Sequence, residues 1–118
     1  MKPDPAVLDE LVRRTVQAVH PVQIILFGSA ARGEMGPTSD LDVLVVMPDG
    51  CDRRAVAGAL YRAYRGLDYA HDIVVVWQSD VERYGQNPYL IIHSALAEGK
   101  ELYPVASYQA VYDPLPRG

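Results

Sequence analysis

The sequence lacks the cysteine pairs that cross-link small domains and the long apolar segments that anchor proteins in a membrane. Its one cysteine, Cys51, has no second cysteine for a disulfide and no cysteine or histidine at zinc-ligand spacing. The longest apolar runs are strand-sized, far short of the roughly 20 residues that cross a bilayer. The first residues also lack the apolar stretch and cleavage site of an export signal. We therefore expect a cytoplasmic protein without a membrane segment.

Basic residues are in the minority. The chain has 11 lysines and arginines against 15 acids, which gives a net charge of −4. Proteins that bind nucleic acid on their own use an excess of positive charge to displace counterions from phosphates. Autonomous nucleic-acid binding is therefore not expected, and small molecules or proteins are the expected partners. At 118 residues the chain has the size of one domain.

Apolar periodicity predicts helices that alternate with short strands. Asp4 and Pro5 are the cap and the first residue of a predicted helix that runs to residue 19. Runs rich in β-branched residues predict strands over 22–27, 40–47 and 71–77, with an edge strand over 102–103. The later predicted helices are 52–66, 79–85 and 87–97, the last with Gly99 as its C-cap. This order indicates an α/β fold.

The end of the chain differs from the rest. Residues 104–118 contain three prolines and show no periodicity. Such a pattern predicts a loosely held C-terminal tail. The folded domain is accordingly expected to occupy residues 1–103.

The predicted helix over 52–66 has two unlike sides. One side is apolar and is expected to face the core: Val56, Ala59, Leu60 and Ala63. The other side is basic: Arg54, Arg62 and Arg65. We expect the basic side simply to face solvent.

A Gly-Ser pair follows the first predicted strand. Gly28 allows the backbone to turn sharply and to approach a ligand closely, and Ser29 begins a short helical turn. N–H groups at the start of a helical turn, together with the serine hydroxyl, suit a polyphosphate. Arg32 lies one turn further on, where its guanidinium can neutralise charge on the same phosphates and on a departing pyrophosphate.

Three aspartates are placed at the starts of strands. Asp40 and Asp42 are two residues apart, so they share a strand face while Leu41 points into the core. Asp72 precedes a second apolar run in the same way, and the three carboxylates converge if the two strands are neighbours. Ser39, just upstream, can fix the turn by local hydrogen bonds and is counted among the nucleotide-binding candidates.

Carboxylates placed side by side repel one another unless a cation lies between them. Mg²⁺ prefers such oxygen ligands and is commonly completed by substrate phosphates. Two ions roughly 3.5 to 4 Å apart activate an attacking hydroxyl and stabilise the leaving oxygens of an in-line displacement. The pattern predicts that Asp40, Asp42 and Asp72 hold two Mg²⁺ ions and catalyse nucleotidyl transfer, with Asp72 on the nucleophile side and able to act as general base.

These motifs resemble a known family. Gly28-Ser29, ten intervening residues and Asp40-Leu41-Asp42 resemble the motif of the DNA polymerase β-like nucleotidyltransferase superfamily, and Gly-Ser-Ala-Ala-Arg-Gly resembles its minimal nucleotidyltransferases. By pattern the resemblance covers about residues 5–103. It implies a single α+β domain with a small mixed sheet flanked by helices. It also implies ATP as the nucleotide donor.

The resemblance further implies an acceptor. Larger members add a helical domain that shapes the acceptor site. The present residues are too few to form such a domain, so we expect another protein to complete the acceptor site. Many minimal members are antitoxins of HEPN-type RNase toxins, and some transfer AMP from ATP to a tyrosine of the toxin. An oligomer with such a partner is expected. Two alternatives stay open: a transferase acting on a small acceptor such as an aminoglycoside, and an antitoxin that only binds.

Overall fold

The computed structural model describes residues 1–36, 38–87 and 90–104, which form five helices and four strands. The helices are α1 (Pro5–Val19), α2 (Gly28–Ala31), α3 (Arg53–Ala63), α4 (Gln78–Tyr84) and α5 (Ile91–Glu98). The strands are β1 (Gln23–Phe27), β2 (Leu41–Met47), β3 (His71–Trp77) and β4 (Lys100–Tyr103). Within these ranges no helix combines the length and the apolar character needed to cross a membrane.

The four strands form one mixed sheet in the order β3-β2-β1-β4. β1 runs antiparallel to β2 and to β4, whereas β2 and β3 are parallel. The parallel pair is possible because α3 crosses from the end of one strand to the start of the next. The predicted α+β fold, a small mixed sheet flanked by helices, is confirmed.

Both faces of the sheet are covered. Leu41 and Val43 of β2 are fully buried in a cluster beneath α1 and α3. Leu44 and Val46 are buried in a second cluster on the opposite face, together with Ile92 of α5. A strand with two buried faces needs an unbroken apolar run, which explains the composition of β2.

A buried hydroxyl pair and an arginine join α1 to α3. The Thr15 hydroxyl donates to the Leu11 carbonyl at 2.7 Å and hydrogen-bonds the Tyr64 hydroxyl. Burial raises the pKa of Tyr64 to about 12, although the bond to Thr15 acts in the opposite direction. Arg14 donates to the carbonyls of Ala63 and Arg65 at 3.1 and 2.7 Å, which satisfies acceptors at the end of α3.

The element boundaries differ from prediction mainly at helix ends. The Asp4 carboxylate accepts from the Ala6 N–H at 2.9 Å, which confirms the predicted cap of α1. α3 ends at residue 63 instead of 66 because the chain tightens into a turn and leaves through Gly66, which has φ +87°. α5 begins at Ile91 instead of 87 because Leu90 is extended. The predicted tail lies outside the described residues from position 105 onwards.

Candidate active site

The three predicted acids lie where β2 and β3 begin. β2 starts at Leu41, so Asp40 precedes the strand, which corrects the predicted start. The Leu41 N–H donates to the Ala70 carbonyl at 2.8 Å, at the entry to β3. Asp42 and Asp72 are register partners on these parallel strands. The strand pairing on which convergence of the acids depends is therefore present.

Asp42 lies on the sheet face opposite α1 and α3. Its neighbours Leu41 and Val43 are fully buried beneath those helices, and side chains alternate along a strand. Burial raises the pKa of the Asp42 carboxyl above its usual range, and the charges of Asp72 and Asp40 raise it further. Asp72 and Asp40 thus both lie within electrostatic reach of Asp42. A bound cation would relieve their repulsion.

Gly28 places the Gly-Ser loop beside Asp42. Phe27, the last residue of β1, is the register partner of Asp42. Gly28 has φ +70°, a left-handed conformation that favours glycine. A Cβ at this position would also collide with Oδ2 of Asp42. A side chain here would therefore strain the backbone and would also force the Asp42 carboxylate to move.

Hydrogen bonds shape the loop between α2 and β2. The Ser29 carbonyl accepts from the Glu34 N–H at 2.9 Å. Further along, the Ser39 hydroxyl oxygen accepts from the Gly36 N–H at 2.8 Å, and the Ser39 N–H donates to the Gly36 carbonyl at 3.2 Å. The expected local bonding of Ser39 is confirmed. Because its hydroxyl acts as an acceptor there, the hydroxyl proton can still be donated to a ligand.

Arg32 is held by two glutamates at the exit of α2. Its Nε lies 3.0 Å from a carboxylate oxygen of Glu34, and a terminal nitrogen lies 3.6 Å from Glu98 at the end of α5. These exposed pairs are weak and exchangeable. Arg32 also lowers the pKa of Asp42, which indicates that its charge acts on the acid site. Sequence reasoning missed both partners; Glu34 lies close by in sequence, but nothing in the sequence pointed to Glu98.

The carboxylates suit a metal ion that arrives with its substrate. In the described part of the chain, no three His, Cys, Asp or Glu side chains are grouped closely enough to hold a metal by themselves. Asp40, Asp42 and Asp72 offer only carboxylate oxygens, which are the ligands that Mg²⁺ prefers. Mg²⁺ commonly completes its coordination with waters and substrate phosphates. The donor set therefore fits Mg²⁺ bound together with a triphosphate, and the two-ion arrangement stays a prediction.

Aromatic rings flank the start of β3 on the α3 side. The ring of His71 lies 5.6 Å from that of Tyr61 and 5.2 Å from that of Tyr64. The Tyr61 hydroxyl accepts from the Ile73 N–H at 3.3 Å. The sequence alone favours a packing role for the tyrosines of this helix and a place outside the site for His71. The rings do pack. Tyr61, however, contacts His71 and Ile73, the residues on either side of Asp72.

A family comparison agrees with this geometry. The model of the nucleotidyltransferase domain matches residues 8–105, a range that includes the Gly-Ser loop and all three acids. This chain belongs to the nucleotidyltransferase domain family. No curated protein matches it.

Solved structures share the fold of this nucleotidyltransferase domain. A toxin-antitoxin with AMP-PNP is 19% identical with a TM-score of 0.64, over 89% of this chain and 79% of that chain. A mutant of the toxin-antitoxin MntA-HpeT is 20% identical with a TM-score of 0.58, over 93% and 81%. A putative nucleotidyltransferase from Sulfolobus solfataricus is 25% identical with a TM-score of 0.51, over 66% and 70%.

Proposed function

We propose that this protein is a Mg²⁺-dependent nucleotidyltransferase that transfers AMP from ATP to a tyrosine of a HEPN-type toxin and so acts as its antitoxin. The observation that carries the transfer is the pairing of Asp42 with Asp72 beside the glycine turn at Gly28. Family membership supports nucleotidyl transfer. The shared fold with a toxin-antitoxin, one solved with AMP-PNP, supports the toxin partner and the adenine nucleotide.

Each residue has a task in this reaction. The backbone at Gly28 and Ser29 binds the triphosphate, and Arg32 exchanges its glutamates for phosphate oxygens. Asp40, Asp42 and Asp72 hold Mg²⁺, which when bound neutralises phosphate charge and lowers the pKa of the attacking hydroxyl.

The chemical step is an in-line displacement. The acceptor tyrosine oxygen forms a bond to the α-phosphorus of ATP while the bond from that phosphorus to the bridging oxygen breaks. Asp72, on the nucleophile side, accepts the tyrosine proton. Pyrophosphate leaves with the displaced oxygen, and the toxin retains AMP as a phosphodiester.

Co-expression with the toxin tests this function. A HEPN-type toxin that is co-expressed with the wild type should gain the mass of one or more AMP groups in an intact-mass spectrum. The gain should require Mg²⁺ and ATP, vanish in Asp42→Asn and persist in Glu82→Gln, which removes an exposed acid on α4. A toxin that is inhibited without modification by both wild type and Asp42→Asn would establish a binding antitoxin instead. Labelling of an aminoglycoside by the purified protein would favour a small acceptor.

Asp72 is separable from the acids that bind nucleotide. As a nucleophile-side ligand or base it acts mainly in the chemical step, so Asp72→Asn should lower kcat far more than it weakens ATP affinity. The comparison is single-turnover transfer against equilibrium ATP binding. Equal losses would assign Asp72 to binding. If neither kcat nor ATP affinity fell, Asp72 would not be the third acid of the site, and Asp68 would be the next candidate.

A further inference from the structure

Positive charge is concentrated on α3 and the turn that follows it. Residues 53–67 contain four arginines and neither aspartate nor glutamate, although the whole chain has a net charge of −4. The segment lies between Asp52 and Asp68 and is locally positive on an acidic molecule. Locally positive surfaces attract oppositely charged partners.

Most of these arginines are not used inside the domain. Arg53 is engaged: it pairs with Asp80 at 3.2 Å and lies 4.4 Å from the ring centre of Trp77. By contrast, three exposed arginines form no ion pair within residues 1–36, 38–87 and 90–104: Arg54, Arg62 and Arg65. On α1, Arg13 and Arg14 share Glu10. The fold thus pairs Arg13, Arg14, Arg32 and Arg53, whereas three of the four arginines of residues 53–67 form no ion pair among the described residues.

The unpaired arginines lie on one side of α3 together with an exposed tyrosine. At 100° per residue, positions 54, 58, 61 and 62 fall within about a quarter of the helix circumference, and Arg65 follows in the turn after α3. We call this surface the α3 stripe: Arg54, Gly58, Tyr61, Arg62 and Arg65. Tyr61 is 43% exposed although its hydroxyl is hydrogen-bonded, so one part of its ring is fixed and another part is open. Fixed tyrosines and arginines are the side chains most enriched at the energetic centres of protein interfaces.

The α3 stripe lies next to the acceptor side of the acid site. Tyr61 contacts His71 and Ile73, the two residues that flank Asp72. β3 is an edge strand of the sheet, so no further strand of the described chain separates the stripe from Asp72. A partner seated on the stripe can therefore reach around one strand edge to the carboxylate.

We propose that the α3 stripe is the docking surface for an acidic surface of the acceptor protein, which it holds so that the acceptor hydroxyl meets Asp72. The proposal rests on the proposed function and adds to it the location and charge of the contact. Charge complementarity favours this occupant: the three guanidiniums of the stripe match carboxylates on a folded partner. Nucleic acid is disfavoured because three cations can neutralise only a few of its phosphates.

Two arginines in equivalent positions allow a matched test. Arg62 on α3 and Arg83 on α4 are both exposed, both in the last turn of their helices, and neither forms an ion pair among the described residues. Arg62→Glu should weaken the complex with the co-expressed toxin by about tenfold, in a salt-dependent manner, whereas Arg83→Glu should not. Both variants should keep the rise in Tm that Mg²⁺ and ATP produce in the wild type.

The outcomes separate the docking surface from the proposed function. Restored binding when a toxin carboxylate is replaced by lysine in the Arg62→Glu background would support the contact directly. If Arg62→Glu and Arg83→Glu bind the toxin equally well, the docking surface is overturned and the proposed function is not. Loss of ATP binding in Arg62→Glu also overturns the docking surface alone. A short single-stranded RNA that binds the wild type, displaces the toxin and fails to bind Arg62→Glu overturns it in favour of nucleic acid. A wild type that binds the toxin without transferring AMP refutes the transfer only, and one that forms no complex refutes both.

Discussion

At the residue scale, the charge of Asp42 is only partly compensated in the domain, by Arg32. Its folded-state pKa is raised by burial and by Asp72 and Asp40. The folded protein therefore binds this proton more tightly than the unfolded chain does. Linkage then requires the free energy of unfolding to fall as pH rises from the ordinary pKa of aspartate through the raised value.

Asp42→Asn should accordingly raise the Tm of the protein in EDTA at neutral pH. The gain should shrink as pH falls below the ordinary aspartate pKa, because the carboxyl is then protonated in both states. Thermal melts across this pH range are the measurement, with Glu82→Gln as the exposed-acid control. A variant less stable than the wild type at neutral pH would show that Asp42 has a compensating partner in the fold.

Single residues also mark the limit of prediction from sequence. Asp40, Asp42 and Asp72 stand out because acids next to apolar strand residues are conspicuous in the sequence. The pairing of Arg32 with Glu98 cannot be predicted from the sequence, because it depends on where α5 ends relative to α2. The α3 arginines read as an ordinary solvated surface, since a sequence does not show which cations find a carboxylate in three dimensions.

At the element scale, the turn from β1 into α2 should tolerate no side chain. Gly28→Ala introduces both an unfavourable positive φ and a collision with the Asp42 carboxylate. Gly66→Ala is the control, because Gly66 also has positive φ but a methyl group added there would meet no atom within 4 Å. We expect about 1 kcal/mol of destabilisation for Gly66→Ala and a larger loss for Gly28→Ala, together with weakened ATP binding only in the latter. Chemical denaturation and ATP titration measure the two effects, and equal losses in both variants would argue against the collision.

The bounds of β1, β2 and β3 lie within one residue of prediction, whereas β4 begins at Lys100 instead of 102 and α3 and α5 differ more at their ends. β3 extends over the predicted residues 71–77, around a central β-branched run over 73–76. α4 begins at Gln78, one residue before the predicted Ser79, because the Asp80 carboxylate accepts the Trp77 N–H at 2.9 Å and fixes the first turn. Helix ends depend on such individual hydrogen bonds, and several polar residues in one segment are able to make them.

At the scale of the whole molecule, one ligand should stabilise segments that are distant in sequence. The proposed nucleotide site combines the loop after β1 with acids from β2 and β3, so Mg²⁺ and ATP bind the assembled domain and not the unfolded chain. At a ligand concentration 100 times Kd the gain is about 2.7 kcal/mol. Differential scanning fluorimetry should show a higher Tm for the wild type and for Glu82→Gln, and little change for Asp42→Asn. An equal shift in Asp42→Asn would place the nucleotide away from this acid.

The position of β4 bears on how the domain is made during protein synthesis. β1 lies inside the sheet, yet one of its two neighbours is β4, the last strand of the described chain. A ribosome must therefore release residues 100–103 before β1 has both of its strand partners. Until then β1 has an open edge, and the Gly-Ser loop that follows it belongs to an unfinished sheet. We infer that a nascent chain contains the proposed nucleotide-binding residues before the sheet that positions them is complete.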